Sequence, residues 1–234
     1  MRLSIDELSR SARAVFPDFV FCWIRRFGTA LLTPFLFSAQ TGHFKSSLLG
    51  KAVSRTGTPL PWYTYPAVDF LDGKDLSGKR VLEFGAGQST LWWAGKAAQV
   101  VSFEHDPEWV ARLISHLPPS VQLHRVPWHL EGIERLLPSE LFDVVVIDGL
   151  NRLKCAHLSL RLVAPGGAIL LDNSEGSWGG EKDETYPILD LFRERGFQRV
   201  DFFGYTPGVI RPHCTSLFCK AGCFLLAGQE PPRK

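Results

Sequence analysis

The sequence has no excess of charge of either sign. Lys and Arg number 26 against 24 Asp and Glu, a net charge of +2, which argues against a nucleic-acid partner, because a phosphate backbone needs a basic face. It has no Cys-x-x-Cys pair. The five cysteines, Cys22, Cys155, Cys214, Cys219 and Cys223, are odd in number and read as reduced thiols of a cytoplasmic protein, and the His213-Cys214…Cys219…Cys223 run fits no standard zinc spacing. It has no basic region near the amino terminus: Asp6-Glu7 stand there, so no secretion signal is expected. It has no unbroken apolar run of about 20 residues, the length that crosses a bilayer. Residues 19–37 are strongly apolar, yet Arg25-Arg26 divide them and Pro34 lies near the end, so neither half is expected to span. Internal repeats and low-complexity tracts are missing too.

What is there is ordinary for a soluble globular chain: 45% hydrophobic and 21% charged residues over 234 positions, enough for a sizeable core in one domain, or in one domain plus a cap. Three parts are expected: a helical extension and linker over 1–60, a main domain over 61–228 and a frayed tail over 229–234. Ser4-Ile-Asp-Glu-Leu is a capped helix start for the extension. Residues 15–40 are expected to pack on the domain or on a second copy in a homodimer, or else to lie on a membrane surface or cover a greasy substrate. Residues 41–61, rich in Gly, Ser, Thr and Pro, read as a loop. Pro66 suits the first turn of a helix reaching about Leu71, and the aromatics of Trp62-Tyr-Thr-Tyr either close over a ligand or pack against a sheet.

From Arg80 the pattern alternates. Strands are expected over 80–84, 99–104, 121–126, 143–147 and 167–172. Helices are expected over 89–97, 107–116, 151–163 and 184–195, with a short one near 131–137. Alternation of this kind implies a doubly wound α/β fold. The unbroken apolar runs Val144-Val-Val-Ile and Ala168-Ile-Leu-Leu suit parallel strands covered on both faces. Two further strands, 199–204 and 215–220, have no helix between them. The expected architecture is therefore a mostly parallel seven-stranded sheet with an antiparallel C-terminal strand, preceded by the helical extension.

One stretch carries a ligand signature. Strand 80–84 ends in Glu83-Phe-Gly85-Ala-Gly87, and a helix opens at Ser89-Thr90. Gly85 and Gly87 let a backbone approach a ligand, and the helix start offers free N–H groups. Glu104 lies 19 residues beyond Gly85, at the end of the second strand, where an acid accepts hydrogen bonds from ribose hydroxyls. This is half of an adenosine site. A dinucleotide fingerprint would have Gly or Ala where Thr90 stands. An NAD(P)-dependent oxidoreductase stays as a rival, without a recognisable Tyr-Lys pair, and so does a non-catalytic binding module on the same fold.

Glu83-Phe-Gly-Ala-Gly-Gln-Ser, Glu104, Phe142-Asp-Val-Val-Val-Ile-Asp148 and Leu162-Val-Ala-Pro-Gly-Gly-Ala-Ile-Leu-Leu-Asp172 together resemble the class I S-adenosylmethionine-dependent methyltransferases, over roughly residues 60–223. The resemblance implies that Gly85, Ala86 and Gly87 pass under the methionine part of S-adenosylmethionine, with Ser89 and Thr90 following. It places Glu83 near the amino or carboxylate end, Glu104 on the ribose, and His105 or Asp106 beside the adenine. The stretch His124-Arg-Val-Pro-Trp128 lacks the acid often found there, so the adenine contact falls to backbone or to stacking on Trp128.

Asp148 ends the fourth strand and Asp172-Asn173 the fifth, so their oxygens share one edge of the sheet. They either hold Mg²⁺ or cap helices and bind cofactor or substrate directly. The metal set is similar to that of the catechol-type O-methyltransferases. In those, a catalytic Lys follows the first Asp by three residues, whereas here that position is Asn151, with Lys154 three further on. Besides Asp148, the candidates for proton removal from an acceptor are His213, His129 and Lys154. Arg152 and Arg211 are either anion binders or surface charge. The expected activity is methyl transfer to a small molecule at a hydroxyl. A nucleic-acid methyltransferase is disfavoured, since Asp172-Asn-Ser-Glu stands where an Asn/Asp-Pro-Pro-Tyr motif would be.

Overall fold

The structure, a computed structural model, describes residues 13–137, 139–149, 151–176 and 184–227. The expected helix start at Ser4 and the tail over 229–234 lie outside the described residues. Helix α1 runs Asp18–Thr41 and α2 runs His43–Leu49. The sequence led us to expect two apolar halves, but α1 is one continuous 24-residue helix containing Arg25, Arg26 and Pro34, with no residue buried. Arginine is a good helix former, so a pair of them interrupts hydropathy without interrupting the helix. By length and composition alone α1 could cross a membrane.

The loop expected over 41–61 begins instead with α2. Gly42 turns the chain between the helices at φ 82, and Gly50 ends α2 at φ 58. A Cβ on Gly42 would stand 2.5 Å from the Val53 carbonyl oxygen, so this bend admits only glycine. The hydroxyl of Ser46 donates to the Val53 carbonyl at 2.9 Å and accepts from its N–H at 3.0 Å, folding residues 50–60 back on α2. Helix α3 then runs Tyr65–Asp72, with Pro66 in its first turn.

Seven strands follow, β1 (Arg80–Phe84), β2 (Gln99–Glu104), β3 (Val121–Arg125), β4 (Phe142–Ile147), β5 (Val163–Leu171), β6 (Gln198–Tyr205) and β7 (Pro212–Cys219). The sheet order is β3-β2-β1-β4-β5-β7-β6. Strands β1 to β5 pair in parallel, and β7 lies antiparallel between β5 and β6. Between them run α4 (Gln88–Ala94), α5 (Pro107–Ile114), α6 (Arg152–Leu162) and α7 (Thr185–Glu194). The short helix expected near 131–137 is one turn, Ile133–Arg135.

The unbroken apolar runs are explained by a core on each face of the sheet. Phe84, Phe103, Val145 and Ile169 point one way, to meet Cys155, Leu158, Ile188 and Phe192 from α6 and α7. Val81, Val144, Val146 and Leu170 point the other way, against Val68 and Leu71 of α3 and Trp92 and Trp93 of α4. The chain leaves β1 toward β2 and β3, then returns to β4 on the other side. That reversal opens a crevice at the carboxyl ends of β1 and β4, where ligands bind in such sheets.

Candidate cofactor and substrate site

The loops after β1 and β4 cross at the crevice. Gly85 has φ +100, and a Cβ on it would lie 2.7 Å from the carbonyl carbon and oxygen of Asp148. Its N–H donates to Phe103 O at 2.8 Å, and the Asp148 N–H donates to Phe84 O at 2.9 Å. Gly87 differs. Its backbone is extended, φ −172, and a Cβ there would meet only Ser89 Oγ at 3.7 Å and Trp109 Nε1 at 3.8 Å. The fold does not demand glycine at 87, and the room it leaves belongs to a cavity of about 550 Å³. Gly85, Ala86, Gly87, Ser89, Glu104, His105, Asp148, Asp172, Asn173 and His213 all line that cavity.

Glu83 and Thr90 are not among the residues lining it; they sit beneath. The Gly87 N–H donates to Thr90 Oγ1 at 2.9 Å, and the Thr90 hydroxyl donates to Glu83 Oε2 at 2.5 Å. Ser102, paired with Glu83 across β1 and β2, donates to the same oxygen at 2.8 Å. Oε1 is buried with no hydrogen-bond partner among the described residues. Burial pushes the Glu83 carboxyl up to about 7, against the pull of the Ser89, Thr90 and Ser102 hydroxyls, because a low dielectric disfavours the charged form. Glu83 is thus the buried prop of the glycine turn.

Glu104 faces the cavity. Its Oε1 accepts from the N–H groups of His105 at 2.8 Å and Asp106 at 2.9 Å, and Oε2 from Ala86 N–H at 3.0 Å. Three backbone donors fix the carboxylate and join β2 to the glycine turn. Oε2, with a single protein donor, keeps a lone pair for a ligand hydroxyl. These residues fit an adenosine-bearing cofactor: an open approach over Gly87, and an oriented acceptor at the ribose position.

The expected metal set has a different arrangement. Arg152, in the first turn of α6, reaches the same edge and bonds the Asp172 main-chain carbonyl and the Asn173 side chain. Its Nη1 donates to Asp172 O at 2.5 Å, Nη2 to Asn173 Oδ1 at 3.3 Å, and Nε to Gly149 O at 3.0 Å. Nη2 also lies 3.8 Å from Asp148 Oδ1. The Thr215 hydroxyl takes Asp172 Oδ1 at 2.6 Å. The guanidinium therefore supplies the positive charge that Mg²⁺ was expected to bring. Among the described residues, no three His, Cys, Asp or Glu side chains converge as metal ligands. Two of the three oxygens are already engaged, Asp172 Oδ1 by Thr215 and Asn173 Oδ1 by Arg152, so chelation with EDTA is expected to leave ligand affinity and turnover unchanged; a loss restored by Mg²⁺ would contradict this. Burial raises both Asp148 and Asp172 above the ordinary carboxyl range, the charge of Asp148 adds to the rise at Asp172, and Arg152 opposes it at both.

His213, in β7, is held by a residue the sequence reading passed over. Its Nδ1 lies 2.7 Å from Glu175 Oε1, and Glu175 Oε2 accepts from Cys214 N–H at 2.8 Å. Glu175 falls two residues beyond Asn173, on the same edge of the sheet, which was the available signal. Trp109 was also missed: it lines the cavity and donates from Nε1 to Ala86 O at 2.6 Å. Asp106 caps α5 through the N–H groups of Glu108 and Trp109, and that cap with Pro107 marks Trp109 as first-turn and edge-facing.

Several candidates lie apart: Asp106, His129 and Arg211 do not line the cavity. Lys154 Nζ donates to Leu130 O at 2.9 Å and does not line the cavity, because it lies on α6 a half-turn past Arg152 and faces the 128–130 loop. Trp128 is outside the large cavity as well, its ring edge-on to His105 at 5.0 Å. It borders a separate small pocket with Glu104, His105 and Gly149. Asn151, at the position of the expected lysine, donates to Trp128 O at 2.6 Å.

The sequence matches no protein-family model and no curated protein. Solved structures do resemble it. The cofactor-bound protein Rv0187 from MTB superposes with a TM-score of 0.54 at 19% identity, over 80% of this chain and 95% of that one. The O-methyltransferase TomG from Streptomyces achromogenes, in complex with SAM, gives 0.51 at 18% identity over 80% and 89%. A candidate O-methyltransferase from Klebsiella pneumoniae gives 0.50 at 24% identity over 61% and 74%. With its seven-stranded sheet and one reversed strand, the chain has the α/β fold of the class I S-adenosylmethionine-dependent methyltransferases.

Proposed function

We propose that this protein transfers a methyl group from S-adenosylmethionine to a hydroxyl of a small molecule. The observation that carries the reading is a single cavity lined both by the glycine turn with Glu104 and by His213, which Glu175 orients. The likeness in fold to cofactor-bound Rv0187 and SAM-bound TomG supports it. An oxidoreductase reading is weakened by Thr90, whose hydroxyl props the turn where a dinucleotide site has its third glycine.

S-adenosylmethionine, when bound, supplies a methyl group already activated on a sulfonium. The protein then has to bind, align and manage one proton. Gly85, Ala86 and Gly87 give the close approach, and Glu104 Oε2 receives the ribose hydroxyls. Alignment of the acceptor with the methyl group supplies most of the rate in such a transfer. Arg152 draws Asp172 and Asn173 together and stands beside Asp148, a fixed cation that can hold an acceptor oxygen as it loses its proton. Glu175, 2.7 Å from His213 Nδ1, orients the imidazole at the cavity as the base for that proton.

Calorimetry with S-adenosylhomocysteine is the test: heat of binding is expected, and folded protein giving none at millimolar ligand sinks the reading. Glu104→Ala should weaken binding by about 1–3 kcal/mol, the scale of hydrogen bonds to a charged group. With phenolic and catecholic acceptors, His213→Ala should lower turnover by about 10²–10⁴-fold and leave S-adenosylhomocysteine affinity unchanged.

A further inference from the structure

We propose that α1 and α2 form a docking surface for an anionic lipid bilayer, on which the protein rests with α1 lying in the plane of the headgroups. The first observation is the unpartnered apolar face. None of the 24 residues of α1 is buried, and Phe19, Phe27, Leu31 and Phe35 are 60–74% exposed. With Trp23 they recur every fourth position, which on a 3.6-residue helix spreads them over one broad side. Arg25, Arg26, Thr29, Thr33 and Gln40 fall on the remaining strip, together with Leu32 and Leu36. Helix α2 continues the apolar surface with Phe44, Leu48 and Leu49, which are 54–72% exposed.

The second observation is charge. Residues 13–58 hold six cations (Arg13, Arg25, Arg26, Lys45, Lys51 and Arg55) and one acid, Asp18, a net +5 in a chain whose total is +2. The remaining residues therefore carry 2 − 5 = −3. A basic, aromatic-rich segment on an otherwise acidic protein is complementary to anionic lipid. The two arginines also decide against a spanning geometry. Each would have to shed its water at the bilayer centre, whereas in the headgroup plane both reach phosphate. Attachment to the body lies at one end: Phe37 packs edge-on against Tyr65 with centroids 5.4 Å apart and lies 6.3 Å from Tyr205. From there α2 meets the rim of the cavity, with His43 Nδ1 accepting from Gly208 N–H at 3.2 Å, between Thr206 and Val209 of the lining.

The test is flotation of the full chain with vesicles of pure phosphatidylcholine or of phosphatidylcholine containing phosphatidylserine. The protein should float with the phosphatidylserine vesicles, bind the neutral ones far more weakly, and come off in high salt. Arg25→Gln and Arg26→Gln should each lower vesicle affinity roughly five-fold, the factor for about 1 kcal/mol per basic residue. Leu31→Glu with Phe35→Glu should abolish flotation and leave the thermal midpoint and S-adenosylhomocysteine affinity unchanged, since these side chains touch neither core nor cavity. Folded, dispersed protein that fails to float overturns the proposal. So does a stable dimer that hides α1 and ignores vesicles. Association that resists both salt and alkaline carbonate shows α1 crossing the bilayer and overturns the in-plane geometry.

Discussion

Gly85→Ala is expected to lower the stability of the protein by about 2–5 kcal/mol. The left-handed conformation costs an alanine about 1–2 kcal/mol, and forcing an extra carbon into packed structure adds about 1–3 kcal/mol. At this position the obstacle is backbone: the new Cβ would stand 2.7 Å from the Asp148 carbonyl and 2.8 Å from Gly149 N. No rotamer relieves that, so β1 and β4 would have to part at the sheet's centre. For a chain of this size the melting temperature should drop by on the order of 10 °C. Gly87→Ala is the matched control. Its φ of −172 suits any residue, and its Cβ meets nothing closer than 3.7 Å. Stability should stay within about 0.5 kcal/mol, while S-adenosylhomocysteine affinity falls at least ten-fold, because the methyl group takes space from the ligand. Urea midpoints and calorimetry on the two variants separate fold from site. A Gly85→Ala protein as stable as the parent would contradict the crossing of the two loops. A Gly87→Ala protein with full affinity would remove the cofactor from above the turn.

The ligand-free protein should lose stability as pH rises from about 4.5 to about 7. Glu83 titrates near 7 in the fold against an ordinary 4.5. Between those values the folded chain holds a proton that the unfolded chain has released. Stability follows the difference in bound protons, unfolded minus folded, and here that difference is negative, so stability falls with rising pH. Below 4.5 both states are protonated and the contribution is intact; above 7 it has gone. The rise from 4.5 to about 7 corresponds to about 3 kcal/mol at 1.36 kcal/mol per pH unit. Glu83→Gln cannot ionise, so its stability should change much less over this window. The variant should be more stable than the parent at pH 8 and equal or less stable at pH 5, where its amide nitrogen is buried beside hydroxyls that were donors. Asp148 and Asp172 are shifted in the same direction, so a residual slope remains. Urea midpoints at the two pH values decide it, and an unchanged slope in Glu83→Gln would contradict a neutral carboxyl beneath the turn.

Much of this was legible in the residues. Val144–Ile147 and Ala168–Leu171 are apolar at every position because both faces of β4 and β5 are covered, and periodicity shows that directly. The interval from Gly85 to Glu104 placed an acid on the ligand edge, because strand, turn and helix have nearly fixed lengths. What stayed hidden was the direction of side chains around that edge. Glu83 and Thr90 match the expected cofactor motif, yet they support it from below, since a strand's alternation put Glu83 inward. Asp148, Asp172 and Asn173 read as metal ligands because nothing in the sequence places Arg152, which starts α6 and reaches back to Asn173 Oδ1 and to within 3.8 Å of Asp148 Oδ1. Helix α2 reads as a loop in the sequence because its boundaries are set by two left-handed glycines and by the Ser46–Val53 contacts, which no local propensity reports.

The two indole contacts at the cavity have an optical consequence. Trp109 donates to Ala86 O within the glycine turn, and Trp62 donates from Nε1 to Pro207 O at 3.0 Å. Both rings line the cavity, whereas Trp92 and Trp93 pack against each other in the core, centroids 4.8 Å apart. Indole emission shifts with the polarity around the ring, so a molecule entering the cavity displaces solvent from these two fluorophores and leaves the core pair undisturbed. The site thus carries its own reporter: occupancy is readable as a change in tryptophan fluorescence, in real time and without a label.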